Sequence, residues 1–113
     1  MSEHYRLIIL PEAQEDIRSI VLYIARELRA PETALSLQDE IQAEINSLAS
    51  MPKRIKPVDE QPWKDAGVRK TRVKNYYIYF IVDDEEMAVK VTGVIFVGRD
   101  QARQMAERKM EEL

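Results

Sequence analysis

The 113-residue chain has no cysteine. That absence excludes a disulfide framework, a thiol nucleophile and any cysteine-based zinc site. Its one histidine, His4, sits on the opening apolar stretch, where a structural or exposed role is expected rather than metal ligation. Three isolated glycines cannot build a phosphate-cradling loop, and the few serines have no histidine in triad-like order. Conventional nucleophilic hydrolysis is therefore excluded, and neither a metal nor a cofactor is expected. No apolar run approaches the length that spans a bilayer, and the first residues lack a signal-peptide pattern. The expectation is a cytoplasmic protein without membrane contact, folded as one domain over residues 1–113.

The net charge of −3 hides an uneven distribution. Residues 52–74 carry eight Lys/Arg against three acids, whereas residues 1–51 carry four against nine. A basic block thus lies inside an acidic chain, and distribution matters more than the total for any contact with phosphates. The block runs into three apolar, β-branched and aromatic stretches, residues 68–74, 76–82 and 87–97, which read as consecutive strands. Lys74-Asn75 and the acidic run Asp83–Glu86 are short enough to join them as an antiparallel meander. The acidic run suits a solvated hairpin turn better than a cation site. In the last strand, alternation predicts Met87, Val89, Val91, Ile95 and Val97 on one face. Its other face would carry Ala88, Lys90, Thr92, Val94 and Phe96.

Upstream, residues 4–10 suit a first strand. Pro11 fits the first position of a helix, and Glu12, Glu15 and Asp16 favour its positive end. Ala13, Ile17, Ile20, Ile24 and Leu28 recur at helical spacing and define one face, widened by Val21 and Tyr23. Pro31 restarts the pattern, and Ala34, Leu37, Ile41, Ile45 and Leu48 line a second helix that Pro52 ends. The short joint implies an antiparallel helical hairpin. Residues 52–67, with Pro52, Pro57, Pro62 and Gly67, read as an irregular crossing anchored by Trp63. Beyond Gly98, Asp100 is a candidate N-cap. The short C-terminal helix expected there places Ala102, Met105, Ala106, Met110 and Leu113 on one face, either as core or as a dock for another chain. The fold class is α+β: an N-terminal strand and a helical hairpin packed on an antiparallel sheet.

Two groups of residues could do chemistry. Arg69, Lys70, Arg72 and Lys74, joined by Arg99, could form a phosphate-contacting surface. Tyr76, Tyr77 and Tyr79 could present rings or hydroxyls to it. Composition alone fits equally well with half-buried tyrosines and solvated basic side chains.

The order of motifs resembles the RelE/ParE toxin superfamily over roughly residues 5–105. Ala13, Asp16, Ile17, Ile20, Tyr23 and Ile24 follow its Ala-x-x-Asp-Ile-x-x-Ile-x-x-Tyr-Ile pattern. Pro31 and Ala34 follow its Pro-x-x-Ala, and Leu48 and Pro52 its Leu-x-x-x-Pro exit. The basic strand, the aromatic strand and the apolar strand ending in Arg99-Asp100 look like its closing sheet. The resemblance implies the toxin of a bacterial type II toxin–antitoxin pair, as in plasmid-stabilisation modules, that arrests growth. Its implied partner is a cognate antitoxin, with a homodimer as a further expectation.

The resemblance also implies two modes of action. ParE-like members bind a protein target such as DNA gyrase. RelE-like members are metal-independent endoribonucleases that cut messenger RNA on the ribosome. On the second reading the catalytic residues here would be Lys70, Arg72, Arg99 and Tyr77. The match to the nuclease pattern is partial: Tyr77 stands where those enzymes carry an arginine, and Gln104 and Met105 where they place a Tyr or His. A third reading is a binding module of this fold with weak or no toxicity.

Overall fold

The computed structural model describes residues 4–98. Arg99, the candidate cap Asp100 and the expected C-terminal helix lie outside the described residues. Strand β1 (Arg6–Ile9) leads into helix α1 (Pro11–Leu22), and helix α2 (Pro31–Ser47) follows. Three further strands, β2 (Arg69–Val73), β3 (Tyr76–Asp83) and β4 (Ala88–Phe96), complete the domain. Both helices open with proline at the first position, where a missing N–H costs nothing. The expected helical hairpin on a sheet is what forms.

The sheet order is β1-β4-β3-β2. β2, β3 and β4 are the antiparallel meander, while β1 adds to β4 in parallel and makes the whole sheet mixed. Local pattern carries no information about that last pairing. α2 buries Ala34, Leu37, Ile41 and Ile45, the residues its periodicity selects. They pack with Ala13 and Ile24 of the first helical segment against Ile78, Phe80, Val89 and Val91 of the sheet. The opposite face of the sheet is covered by the 52–67 crossing. Trp63 and Ala66 pack there on a second cluster of Val58, Val68, Tyr79 and Ile95, so Trp63 anchors its loop as expected. β3 is accordingly covered on both faces.

Two expectations are corrected. Leu28 was placed on the buried stripe, yet it is 57% exposed. After α1 the helix widens into a π turn, Tyr23–Glu27, where the Leu28 N–H donates to the Tyr23 carbonyl five residues back. The extra residue per turn rotates Leu28 off the apolar face. The second correction concerns β4. Tyr79 pairs with Gly93 but Phe80 pairs with Val91, so Thr92 is the extra residue of a β-bulge. A bulge shifts alternation by one. Val89 and Val91 face the helices, as does Val94 beyond the bulge, while Ile95 joins the opposite cluster. The single face predicted for Val89, Val91 and Ile95 is therefore split.

The bulge is braced from two sides. The Thr92 hydroxyl donates to the Tyr79 carbonyl at 3.3 Å. The Val94 N–H donates to the Asp16 carboxylate, reaching down from α1, at 3.0 Å. Asp16 thus fixes the helical hairpin to the irregular point of the central strand.

Candidate functional site

The two-residue turn at Lys74-Asn75 sets Val73 opposite Tyr76, and the register of the whole basic strand follows. Arg72 stands opposite Tyr77 and Lys70 opposite Tyr79. Residues two apart on a strand share a face. Lys70, Arg72, Tyr77 and Tyr79 therefore occupy the face away from the helices. The Lys70 ammonium sits 4.3 Å from the centroid of the Tyr77 ring, and the Arg72 guanidinium 6.0 Å from it. Tyr77 meets Tyr79 edge to face at 6.2 Å. Arg72 Nε also donates to the Lys74 carbonyl at 2.6 Å, which holds its side chain along the strand end. The structure thus brings together three of the four residues singled out for catalysis, Lys70, Arg72 and Tyr77. The fourth, Arg99, lies outside the described residues.

The rest of the basic block goes elsewhere. Arg69 donates to the Ile55 carbonyl and fastens the crossing segment. Lys74 pairs with Glu40 of α2 at 3.5 Å. Between them Thr71 donates to Glu44 at 2.7 Å, tying β2 to α2. Tyr76 belongs with the helices as well, packed edge to face on Phe96 at 5.8 Å. Burial and the neighbouring Tyr23 push its phenol above the ordinary tyrosine value. It stays protonated at neutral pH, on the opposite side of the sheet from Lys70 and Arg72.

The acidic turn is also engaged. Lys53 meets Asp84 at 2.5 Å and the Tyr5 hydroxyl donates to the same carboxylate at 2.9 Å. Asp83 accepts from the Glu86 N–H and from Lys90, both at 3.2 Å. These bonds hold both carboxyls below the ordinary carboxylate value. The turn clamps the crossing segment and the sheet. Among the described residues no group of three or more His, Asp or Glu is placed to hold a metal, and no helix is long and apolar enough to cross a membrane.

Sequence reasoning missed a groove of about 760 Å³ between the first helical segment and the end of β4. Its mouth carries Tyr23 (56% exposed), Leu28 and Phe96 (45% exposed), with Tyr76 and Val94 deeper. Two irregularities create it. The π turn swings Leu28 outward, and the bulge places Phe96 on the helix side. Periodicity assigns Leu28 to the core, so only the π turn reveals the surface.

The fold of a two-helix hairpin on a four-stranded mixed sheet is similar to that of solved toxins. In a chromosomal ParDE toxin–antitoxin system from P. aeruginosa the match has a TM-score of 0.68 at 18% identity, covering 83% of this chain and 97% of that one. A RelBE2 toxin–antitoxin complex from Mycobacterium tuberculosis gives 0.58 at 18% identity, over 83% and 92%. A mutant E. coli RelE toxin in the free state gives 0.65 at 16% identity, over 97% and 98%. No curated protein matches the chain in sequence. The fold is that of the RelE/ParE toxins. Residues 7–100 match the family described as ParE toxin of type II toxin–antitoxin system, parDE. The chain belongs to that family and is the toxin of a type II toxin–antitoxin system.

Proposed function

We propose that this protein is a ParE-like toxin that arrests growth by binding a protein target, DNA gyrase being the expected one, and that it does so in the cytoplasm without cutting a bond. A cognate antitoxin holds it inactive. The carrying observation is the disposition of the tyrosines. Ribonuclease chemistry needs cations around a pentacoordinate phosphorane and an acid and a base within reach. Tyr76 is turned to the helix side, and Tyr77 has Lys70 stacked against its ring. The ParE family match over residues 7–100 supports the same reading. A second reading, RelE-like cleavage of ribosome-bound messenger RNA, draws on the convergence of Lys70, Arg72 and Tyr77 on one face.

The two readings separate when transcript 5′ ends are mapped shortly after the protein is induced without its antitoxin. Growth arrest with intact transcripts and a DNA-damage response is the expected result, unchanged by Lys70→Ala. New ends within translated codons, lost on Lys70→Ala or Arg99→Ala, overturn it in favour of the nuclease. Absence of both arrest and cleavage leaves a binding module of the same fold.

A further inference from the structure

We propose that the cleft beside Val82, at the outer end of β3, takes an extended segment of the antitoxin as a short added strand. A lysine or arginine of that segment sits against Glu85. The inference rests on the toxin reading and adds where the antitoxin's backbone is held. The hydrogen-bond pattern of the sheet carries it. Val73 and Tyr76 flank a two-residue turn, so they exchange backbone bonds. Alternate residues of β3 from there on, Ile78, Phe80 and Val82, aim their N–H and C=O toward β2. But β2 begins at Arg69, opposite Phe80, while β3 continues to Asp83. Gly67 would be the next partner, across from Val82. It turns away instead at φ 79° and donates its N–H to the Lys64 carbonyl at 3.0 Å. Val82 is thus left with an outward donor and acceptor that take no partner among the described residues.

Those two groups open into a cleft of about 510 Å³, with Gly67 and Arg69 on one side and residues 82–85 on the other. A Cβ on Gly67 would meet nothing within 4 Å, so the space beside Val82 is open. A donor and an acceptor on one strand residue match the backbone of another strand, whereas an anion or a cation would use only one of the two. The start of β2 bounds the cleft at one end and the 83–86 turn at the other, so the added strand is short. The charges on the rim select its side chain. Lys53 pairs with Asp84 and Lys90 with Asp83, and Arg69 is held on the Ile55 carbonyl. Glu85 is the lining carboxylate with no ion pair among the described residues, and it attracts a cation.

Amide hydrogen exchange, read by NMR on the full chain and on its complex with the cognate antitoxin, tests the placement. In the free chain the Val82 amide should exchange at least about a hundredfold faster than that of Phe80, which pairs with Arg69. In the complex it should slow at least about tenfold. Glu85→Lys should weaken the complex at least about tenfold. Asp39→Lys, the same charge change on the exposed side of α2, should weaken it less than about twofold. Both positions are exposed, and circular dichroism confirms that both variants fold. A Val82 amide already slow in the free chain overturns the proposal, because the edge is then closed. One that stays fast in the complex overturns the placement alone and leaves the toxin reading standing. Equal weakening by the two replacements, or none by Glu85→Lys, also overturns it. Failure to form any complex instead removes the toxin reading, and this inference with it.

Discussion

Replacing Asp16 tests the link between the helical hairpin and the bulged strand. Its carboxylate accepts the N–H of Val94, a residue 2% exposed. Asp16→Ala leaves that N–H without its acceptor beside a buried strand. A bond to a charged group contributes about 1.5–3 kcal/mol, and an unsatisfied buried donor costs a similar amount, so the loss should be about 2–3 kcal/mol. Asp16→Asn keeps an acceptor oxygen but removes its charge, and should cost about 1 kcal/mol. Thr92→Val removes only the hydroxyl bond to the Tyr79 carbonyl and should cost about 1 kcal/mol. Because both bonds brace one bulge, the double replacement should depart from additivity by at least about 0.5 kcal/mol. Urea unfolding followed by the fluorescence of Trp63, the only tryptophan, provides the assay. Trp63 lies on the far face of the sheet and reports on the whole fold rather than on the mutated contact. A loss below about 0.5 kcal/mol for Asp16→Ala, or equal losses for Ala and Asn, would refute the reasoning.

Two further predictions follow from the turns. Asp83 and Asp84 have depressed carboxyl values in the folded state, so folding binds fewer protons there. Their stabilisation is complete above the ordinary value of 3.8 and is lost as pH falls below it through the folded values. Thermal melts between pH 7 and pH 3 should show a shallower acid decline in Asp84→Asn than in the parent; an identical profile would remove Asp84 from the acid response. Arg29, between the helices, takes a left-handed φ of 50°. Arg29→Gly relieves a side chain in that region and should raise stability by about 0.5–1 kcal/mol in the same urea assay, and a loss would contradict it.

Much of this fold was legible because its elements are strongly periodic. α2 buries the residues its spacing selects, and the meander strands begin and end within a residue or so of the alternating runs. Even part of the site was legible: a two-residue turn at Lys74-Asn75 fixes Arg72 opposite Tyr77, which already assigns Tyr76 to the other face. What escaped were the departures from regularity. A bulge at Thr92 and a π turn at Tyr23–Glu27 each insert one residue into a period, and no residue type demands either. The groove depends on both insertions. The parallel seat of β1 beside β4 escaped for another reason, since strand order is decided by long-range packing.

β2 is an edge strand, and it lies against the run Tyr76–Val82, seven uncharged aromatic and β-branched residues. Such a segment is a template for intermolecular cross-β association if its neighbour peels away. Lys70 and Arg72 stand on that neighbour as gatekeepers: two copies of β2 meeting antiparallel would set cation against cation. The same charges considered for phosphate contact thus oppose edge-to-edge pairing of β2. Their removal carries a colloidal penalty unrelated to any target, so Lys70→Ala that loses toxicity while sedimenting as a monomer speaks to function, and one that pellets speaks only to the edge.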